Sequence, residues 1–248
     1  MDDELEKQLK YLGLRGLVAN WDHYIEVAQK GSFSSVRFLK YIVEQEYKIK
    51  HENARKRRIS LAKIPEPFVI ETFPFARQPQ LNKKATLTLY DSFDYMSKQH
   101  NIIWIGPTGT GKTGLATAFL TQAIDKGYRG RFILFPELLE VLYQSVADHT
   151  EEKVLKTFEA YDCLLIDELG FIETDPVQVG LFFTLMHKRH KKKTSLITSN
   201  LGFEQWGSFL KNSHLTAALI DRLTENSHVM NMKDCKSLRV RLDQQESI

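Results

Sequence analysis

Gly106-Pro107-Thr108-Gly109-Thr110-Gly111-Lys112-Thr113 is the stretch whose reading decides the fold. It fits G-x-x-x-x-G-K-[ST] at every fixed position. Ahead of it, Ile102-Ile103-Trp104-Ile105 is a short apolar run that reads as a buried strand. Behind it, Gly114-Leu115-Ala116-Thr117-Ala118-Phe119-Leu120 is rich in helix formers with apolar residues at helical spacing. Strand, glycine loop and helix start are what a phosphate cradle needs. The glycines let backbone N–H groups converge on a triphosphate, and the helix N-terminus adds partial positive charge. Lys112 reaches the outer phosphates, and Thr113 offers its hydroxyl to Mg²⁺. An ordinary glycine turn between strand and helix has no need of Lys-Thr at this place.

A second apolar run, Leu164-Leu165-Ile166-Asp167-Glu168, ends in carboxylates. Ligands of open α/β sheets lie beyond the C-terminal strand ends, so these two carboxylates are expected beside the phosphate loop. There Asp167 would hold Mg²⁺, and Glu168 would orient and polarise the attacking water. Thr194-Ser195-Leu196-Ile197-Thr198-Ser199-Asn200 is a further strand ending in polar groups. Asn200 is placed either to contact the γ-phosphate or the water, or simply to make a turn. Asp221-Arg222 adjoins the apolar run Ala217-Ala218-Leu219-Ile220 and is either solvated surface or an arginine presented to a neighbour's ATP.

Strands at 102–105, 131–135, 162–168 and 194–200 alternate with helical segments at 114–126, 136–147 and 177–193. That order implies an α/β class with a mostly parallel sheet covered on both faces, doubly wound. Residues 5–60 read instead as helices. Leu9, Leu12 and Leu17 begin an apolar stripe, and Ser34 and Ser35 are candidate caps of the next helix. Phe38, Leu39, Ile42, Val43 and Tyr47 are expected on one side of that helix. Pro65 and Pro67 stop helical continuity, and Phe73-Pro74-Phe75-Ala76-Arg77-Gln78-Pro79 reads as an extended connector whose aromatics pack onto the next domain. The expected division is a small helical, basic domain over 1–70 and an ATPase domain over 71–248.

The chain has 248 residues, 42% hydrophobic and 26% charged, ordinary values for a globular protein. No apolar run is long enough to span a bilayer, so no membrane role is expected. The acidic start Met1-Asp2-Asp3-Glu4 is not a secretory signal. Two cysteines, Cys163 and Cys235, have no metal-ligand spacing, and the expected setting is a reducing cytoplasm. The net charge is only +3, yet cations cluster. Lys48, Lys50, Arg55, Lys56, Arg57 and Arg58 form the strongest candidate for neutralising successive nucleic-acid phosphates. Lys188, Arg189, Lys191, Lys192 and Lys193 read more simply as a polar helix end. Arg239 and Arg241 stand near the end of the chain.

The motif order resembles the AAA+ ATPases, and among them the IstB-like transposition helpers, which are close to the DnaC-like helicase loaders. The residues that carry the resemblance are Gly106–Thr113, the Asp-Glu-Leu-Gly at 167–170, Thr198-Ser199-Asn200-Leu201, Leu219-Ile220-Asp221-Arg222-Leu223 and the Phe-x-Phe-x-Arg-Gln-Pro at 73–79. The resemblance implies that Asn200 is the polar sensor and that Arg222 is a finger reaching an adjacent subunit's nucleotide. It further implies that Arg239 contacts phosphate from its own chain and that the helix at 136–147 faces nucleic acid. A C-terminal helical lid is expected to be absent or very short.

Together these readings expect an ATPase using ATP and Mg²⁺ that assembles as a homo-oligomer on double-stranded DNA and regulates a partner transposase. A helicase loader shares the ATPase and differs in its partner. A metabolic P-loop kinase would need an acceptor pocket, and the basic helical domain with Asp221-Arg222 argues against it.

Overall fold

The computed structural model describes residues 1–31, 34–170 and 172–239. Arg241 lies outside the described residues. The chain divides into two compact units, Met1–Arg58 and Ile59–Ile248. The division falls before the expected position near residue 70, because Ala62, Ile70 and Phe73 are buried in the core of the second unit, with Ile59, Ile64 and Phe68 packed against it.

The first unit is helical: α1 (Asp3–Tyr11), α2 (Arg15–Ala19), α3 (Trp21–Gln29) and most of α4 (Ser35–Ala62). Asp2 caps α1 by accepting the Leu5 N–H at 2.8 Å, satisfying a donor with no partner inside the helix. Ser34 Oγ accepts from the Arg37 N–H at 3.4 Å, so the cap of α4 is Ser34 and not Ser35. Buried Glu46 of α4 accepts the Leu17 N–H at 2.8 Å. Gly16 sits against it, where an added Cβ would lie 2.6 Å from the Glu46 carboxylate and 2.5 Å from Ile49.

The expected single apolar side of α4 is corrected. Phe38 and Ile42 are half-buried, whereas Leu39, Val43 and Tyr47 are exposed. The two sets are adjacent i, i+4 rows about 100° apart on the helix, and the inner row is the one continuing through Glu46 and Ile49. Leu12, at 63% exposure, likewise leaves the expected stripe.

The second unit begins with the end of α4, where Lys63 takes a left-handed φ of 52°. The 73–79 connector is not simply extended, because 3₁₀ turns occupy Ile70–Thr72 and Phe75–Arg77. Next come helices α5 (Lys83–Ser92) and α6 (Asp94–Ser97). Then come β1 (Asn101–Ile105), α7 (Lys112–Asp125), β2 (Gly130–Leu134), α8 (Phe135–Ala147), α9 (Glu151–Glu159) and β3 (Cys163–Leu169). The remainder is α10 (Pro176–Arg189), β4 (Thr194–Ser199), α11 (Phe203–Leu210), α12 (Ser213–Thr224) and β5 (Ser227–Asn231). Among the described residues no helix comes after β5.

The five strands form one parallel sheet in the order β2-β3-β4-β1-β5. Alternation along β1 sends Ile102 and Trp104 into one core with Leu115 and Phe119 of α7. It sends Ile103 and Ile105 into the other, with Leu138 of α8, Phe182 of α10 and Trp206 of α11. Burial on both faces is why these strands read as unbroken apolar runs.

The basic knot at 188–193 is resolved by burial. Arg189 is 1% exposed and spends its guanidinium on protein oxygens. It donates to the carbonyls of Phe158 (2.9 Å), Tyr161 (2.7 Å) and Thr194 (2.6 Å) and to Ser195 Oγ (3.2 Å). Lys193 meets Asp162 at 2.5 Å and Lys191 meets Glu225 at 2.5 Å. Arg189 therefore ties the chain entering β3 to the chain entering β4.

A candidate nucleotide site

β1 delivers the phosphate loop and α7 starts on its far side, with Gly111 at the N-cap position, φ 97°. The glycines are required by contact as well as by conformation. A Cβ on Gly106 would lie 2.5 Å from the Met232 carbonyl oxygen, one on Gly109 2.5 Å from Ser237 Oγ, and one on Gly111 2.6 Å from the Phe73 ring. Residues Met232–Arg239 and the Phe73 turn thus press on the loop from outside.

Lys112 is 5% exposed, and its Nζ donates to the loop's own carbonyls, 2.7 Å to Gly106 and 2.8 Å to Pro107. Thr110 Oγ1 donates to Pro107 as well, at 3.0 Å. Burial pushes the Lys112 ammonium down to about 8, against the opposing pull of Asp167 and Glu168.

β3 ends beside the loop. Thr113 Oγ1 lies 3.0 and 3.1 Å from the two oxygens of the Asp167 carboxylate. Burial raises the Asp167 carboxyl above the ordinary aspartate range, against hydrogen bonds from Thr198 and Thr113 that favour the anion. The β3–β4 register shifts between Ile166 and Leu169, and Glu168 takes a left-handed φ of 59°. This irregularity leaves Asp167 buried and turns Glu168 outward.

Thr198 of β4 braces both carboxylate residues. Its hydroxyl donates to Asp167 Oδ1 at 2.5 Å and accepts the Glu168 N–H at 3.0 Å. Sequence reasoning gave Thr198 no role. No local signal singles it out, because Thr194, Ser195 and Ser199 of the same buried strand are hydroxyl residues too, and each buried hydroxyl needs a partner.

These groups border a cavity of roughly 460 Å³. Thr108, Gly109, Gly111, Lys112, Thr113, Glu168, Asn200 and Arg239 line it, together with Glu66, Phe68, Thr198 and Leu238. The structure therefore brings together the phosphate loop, Glu168, Asn200 and Arg239, with Asp167 directly behind Thr113. Glu66 and Phe68 carry no motif, and only the fold reveals them.

Arg222 lies outside this set. On α12 its Nε donates to His187 Nδ1 at 3.2 Å and its Nη1 to the Ala218 carbonyl at 2.9 Å, and its guanidinium stacks 5.0 Å above the Phe183 ring.

The candidate nucleic-acid residues all lie on α4 of the first unit. Lys48, Lys50, Lys56 and Arg57 are exposed, Arg55 and Arg58 half-buried, and Arg55 pairs with Glu52 at 3.5 Å. Helix α8 carries Glu137 and Glu140 and no Lys or Arg, so it has no charge with which to neutralise phosphate.

The cradle fits a nucleotide triphosphate: glycines without room for a Cβ, a buried lysine at its centre and an open cavity beside it. Thr113 and Asp167 form a small oxygen donor set of the kind that holds Mg²⁺ together with substrate phosphates. Among the described residues no cluster of three or more His, Cys, Asp or Glu is placed to hold a metal by itself. Nor is any helix among them long and apolar enough to cross a membrane.

The sequence profile described as IstB-like ATP binding protein matches residues 7–246. A Pseudomonas aeruginosa protein, "Insertion sequence IS21 putative ATP-binding protein", is 30% identical over 230 residues, covering 93% of this chain and 86% of its own length. "Insertion sequence IS5376 putative ATP-binding protein" of Geobacillus stearothermophilus is 30% identical over 241 residues, covering 97% and 95%. Among solved structures, the DnaC helicase loader superposes with a TM-score of 0.52 at 23% identity, over 60% of this chain and 86% of that one. That likeness is one of fold.

Proposed function

Because the chain belongs to the IstB-like ATP binding protein family, and has the α/β fold of AAA+ P-loop ATPases, we propose that it is an ATP-hydrolysing, DNA-binding helper of a transposase. ATP assembles it as a homo-oligomer on double-stranded DNA, and hydrolysis loosens that assembly. The observation carrying the catalytic part is the convergence of the phosphate loop, the Thr113–Asp167 pair and outward-turned Glu168 on one cavity.

In this reading each residue has a role that its placement supports. The loop N–H groups and the α7 N-terminus receive the phosphates. Lys112 exchanges its two loop carbonyls for phosphate oxygens. Thr113 and Asp167 hold Mg²⁺, which neutralises charge on the phosphates when bound. Glu168 takes the proton of the attacking water, and Asn200 orients that water from the neighbouring strand. Thr198 fixes Asp167 and the Glu168 backbone. Arg239 contacts phosphate in its own chain, and Arg222 reaches the nucleotide of an adjacent subunit, which accounts for its distance from the cavity of its own chain.

DNA is assigned to α4 through phosphate contacts that position without reading sequence, and α8, which carries no Lys or Arg, is given no part in neutralising phosphate. The transposase is inferred from the insertion-sequence names of the relatives.

Size measurement with duplex DNA, with and without a non-hydrolysable ATP analogue, tests the assembly. A nucleotide-dependent shift to larger species on duplex is expected. A chain that stays monomeric in both conditions, or assembles only on single strands, overturns the reading in favour of a solitary ATPase or a helicase loader.

A further inference from the structure

Gln78 sits in the Phe73–Pro79 turn, outside every catalytic motif, and is 1% exposed. Its amide is fully engaged by main chain on two separate segments. Nε2 donates to the Thr110 carbonyl of the phosphate loop at 3.1 Å and to the Lys236 carbonyl at 2.6 Å. Oε1 accepts the Lys236 N–H at 3.0 Å. One side chain therefore holds both polar groups of residue 236 and a carbonyl of the loop.

The contacts around it point the same way. The Leu238 N–H donates to the Gly109 carbonyl at 2.8 Å, and Arg77 Nη2 donates to the Leu238 carbonyl at 3.4 Å. Ser237 fills the space a Gly109 side chain would need, and Leu238 approaches Gly111. The segment ends at Arg239, which borders the nucleotide cavity beside Lys112.

We propose that Gln78 is a positioning residue that registers the Arg239 segment against the phosphate loop, so that Arg239 meets the outer phosphates of the bound nucleotide only while the Gln78 amide bridges Thr110 and Lys236. The proposal rests on the reading of Arg239 as a phosphate contact. A fully paired buried amide specifies one arrangement of the strands it joins, since any slip leaves its groups and theirs unpaired in a dry place.

The test is the affinity of a non-hydrolysable ATP analogue and of ADP for the full chain, its Gln78→Glu and Arg239→Ala variants and the double variant. Gln78→Glu keeps the shape and the bond from the Lys236 N–H, but sets oxygen against the Thr110 and Lys236 carbonyls. Arg239→Ala is expected to lose roughly tenfold in analogue affinity, the scale of one charged hydrogen bond, and less for ADP. Gln78→Glu is expected to lose the same preference for the triphosphate, and the double variant to lose no more than the weaker single. The triphosphate-to-diphosphate ratio is independent of the folded fraction, so it separates positioning from general damage. Gln78→Met serves where Gln78→Glu does not fold.

Unchanged affinity in Arg239→Ala removes the underlying phosphate contact. A loss in Arg239→Ala with a wild-type ratio in the Gln78 variant overturns the positioning role alone. Additive losses in the double variant overturn it too.

Discussion

Lys112 carries a pH dependence that follows from its burial. Its ammonium is buried and bonded to the Gly106 and Pro107 carbonyls, and burial lowers it to about 8. A bound triphosphate supplies negative charge and raises it again. Below pH 8 the free lysine already carries the proton, and Lys112 adds no pH dependence to the affinity. Above pH 8 the free lysine loses its proton and binding must restore it, so affinity falls toward about tenfold per pH unit. Calorimetry in two buffers of different ionisation enthalpy should show more proton uptake on ATP binding near pH 8.5 than near pH 6.5. Uptake that does not change across this range would place the titration elsewhere.

At the scale of elements, the proposed DNA contacts depend on which sides of α4 carry its cations. Seven helical residues turn through about 700°, so Lys48 and Arg55 share one side while Lys50 and Arg57 share another, about 160° away. A duplex meets one side of a helix, so the basic run cannot act as one continuous strip. Neutralising one of these pairs should flatten the slope of log K against log salt by about 1.8, at about 0.9 per contact, and the other pair should leave it nearly unchanged. Equal effects from both pairs in a salt-series titration would refute a single docking side. Charge was legible in the sequence here and direction was not, because exposure depends on which row packs inward. The same limit hid Arg189, whose basic letter reads as surface but whose guanidinium replaces water for buried carbonyls. The four strands from β1 to β4 were legible because their runs are buried on both faces. Strand β5, with the pattern Ser227-His228-Val229-Met230-Asn231, was not. It is an edge strand paired with β1 alone, half-exposed and too polar to announce itself. Gln78 and Thr198 were hidden for another reason: their value lies in contacts across long stretches of chain that no local pattern encodes.

At the scale of the whole molecule, Glu168, Asn200 and Arg239 line one cavity, while Arg222 stands apart on α12. Arg222→Ala should leave ATP binding within about twofold, since it touches no residue of that cavity, yet slow hydrolysis on the order of a thousandfold, the effect of a finger supplied in trans. Turnover measured across protein concentrations checks this, and normal turnover in the variant would make Arg222 a local brace for Phe183 and His187. Glu168 carries a different consequence. Its backbone is left-handed at φ 59°, a conformation that penalises a side-chain-bearing residue by roughly 1–2 kcal/mol. Glycine escapes that penalty and gives back about 0.5–1 kcal/mol through a more flexible unfolded chain. Glu168→Gly should therefore melt up to about 2–4 °C higher, while hydrolysis falls on the order of a hundredfold or more for want of a base. A lower melting temperature would show that the bend at 168 is relaxed. Durability alone would put glycine at position 168; under the proposed function it is turnover that calls for glutamate there.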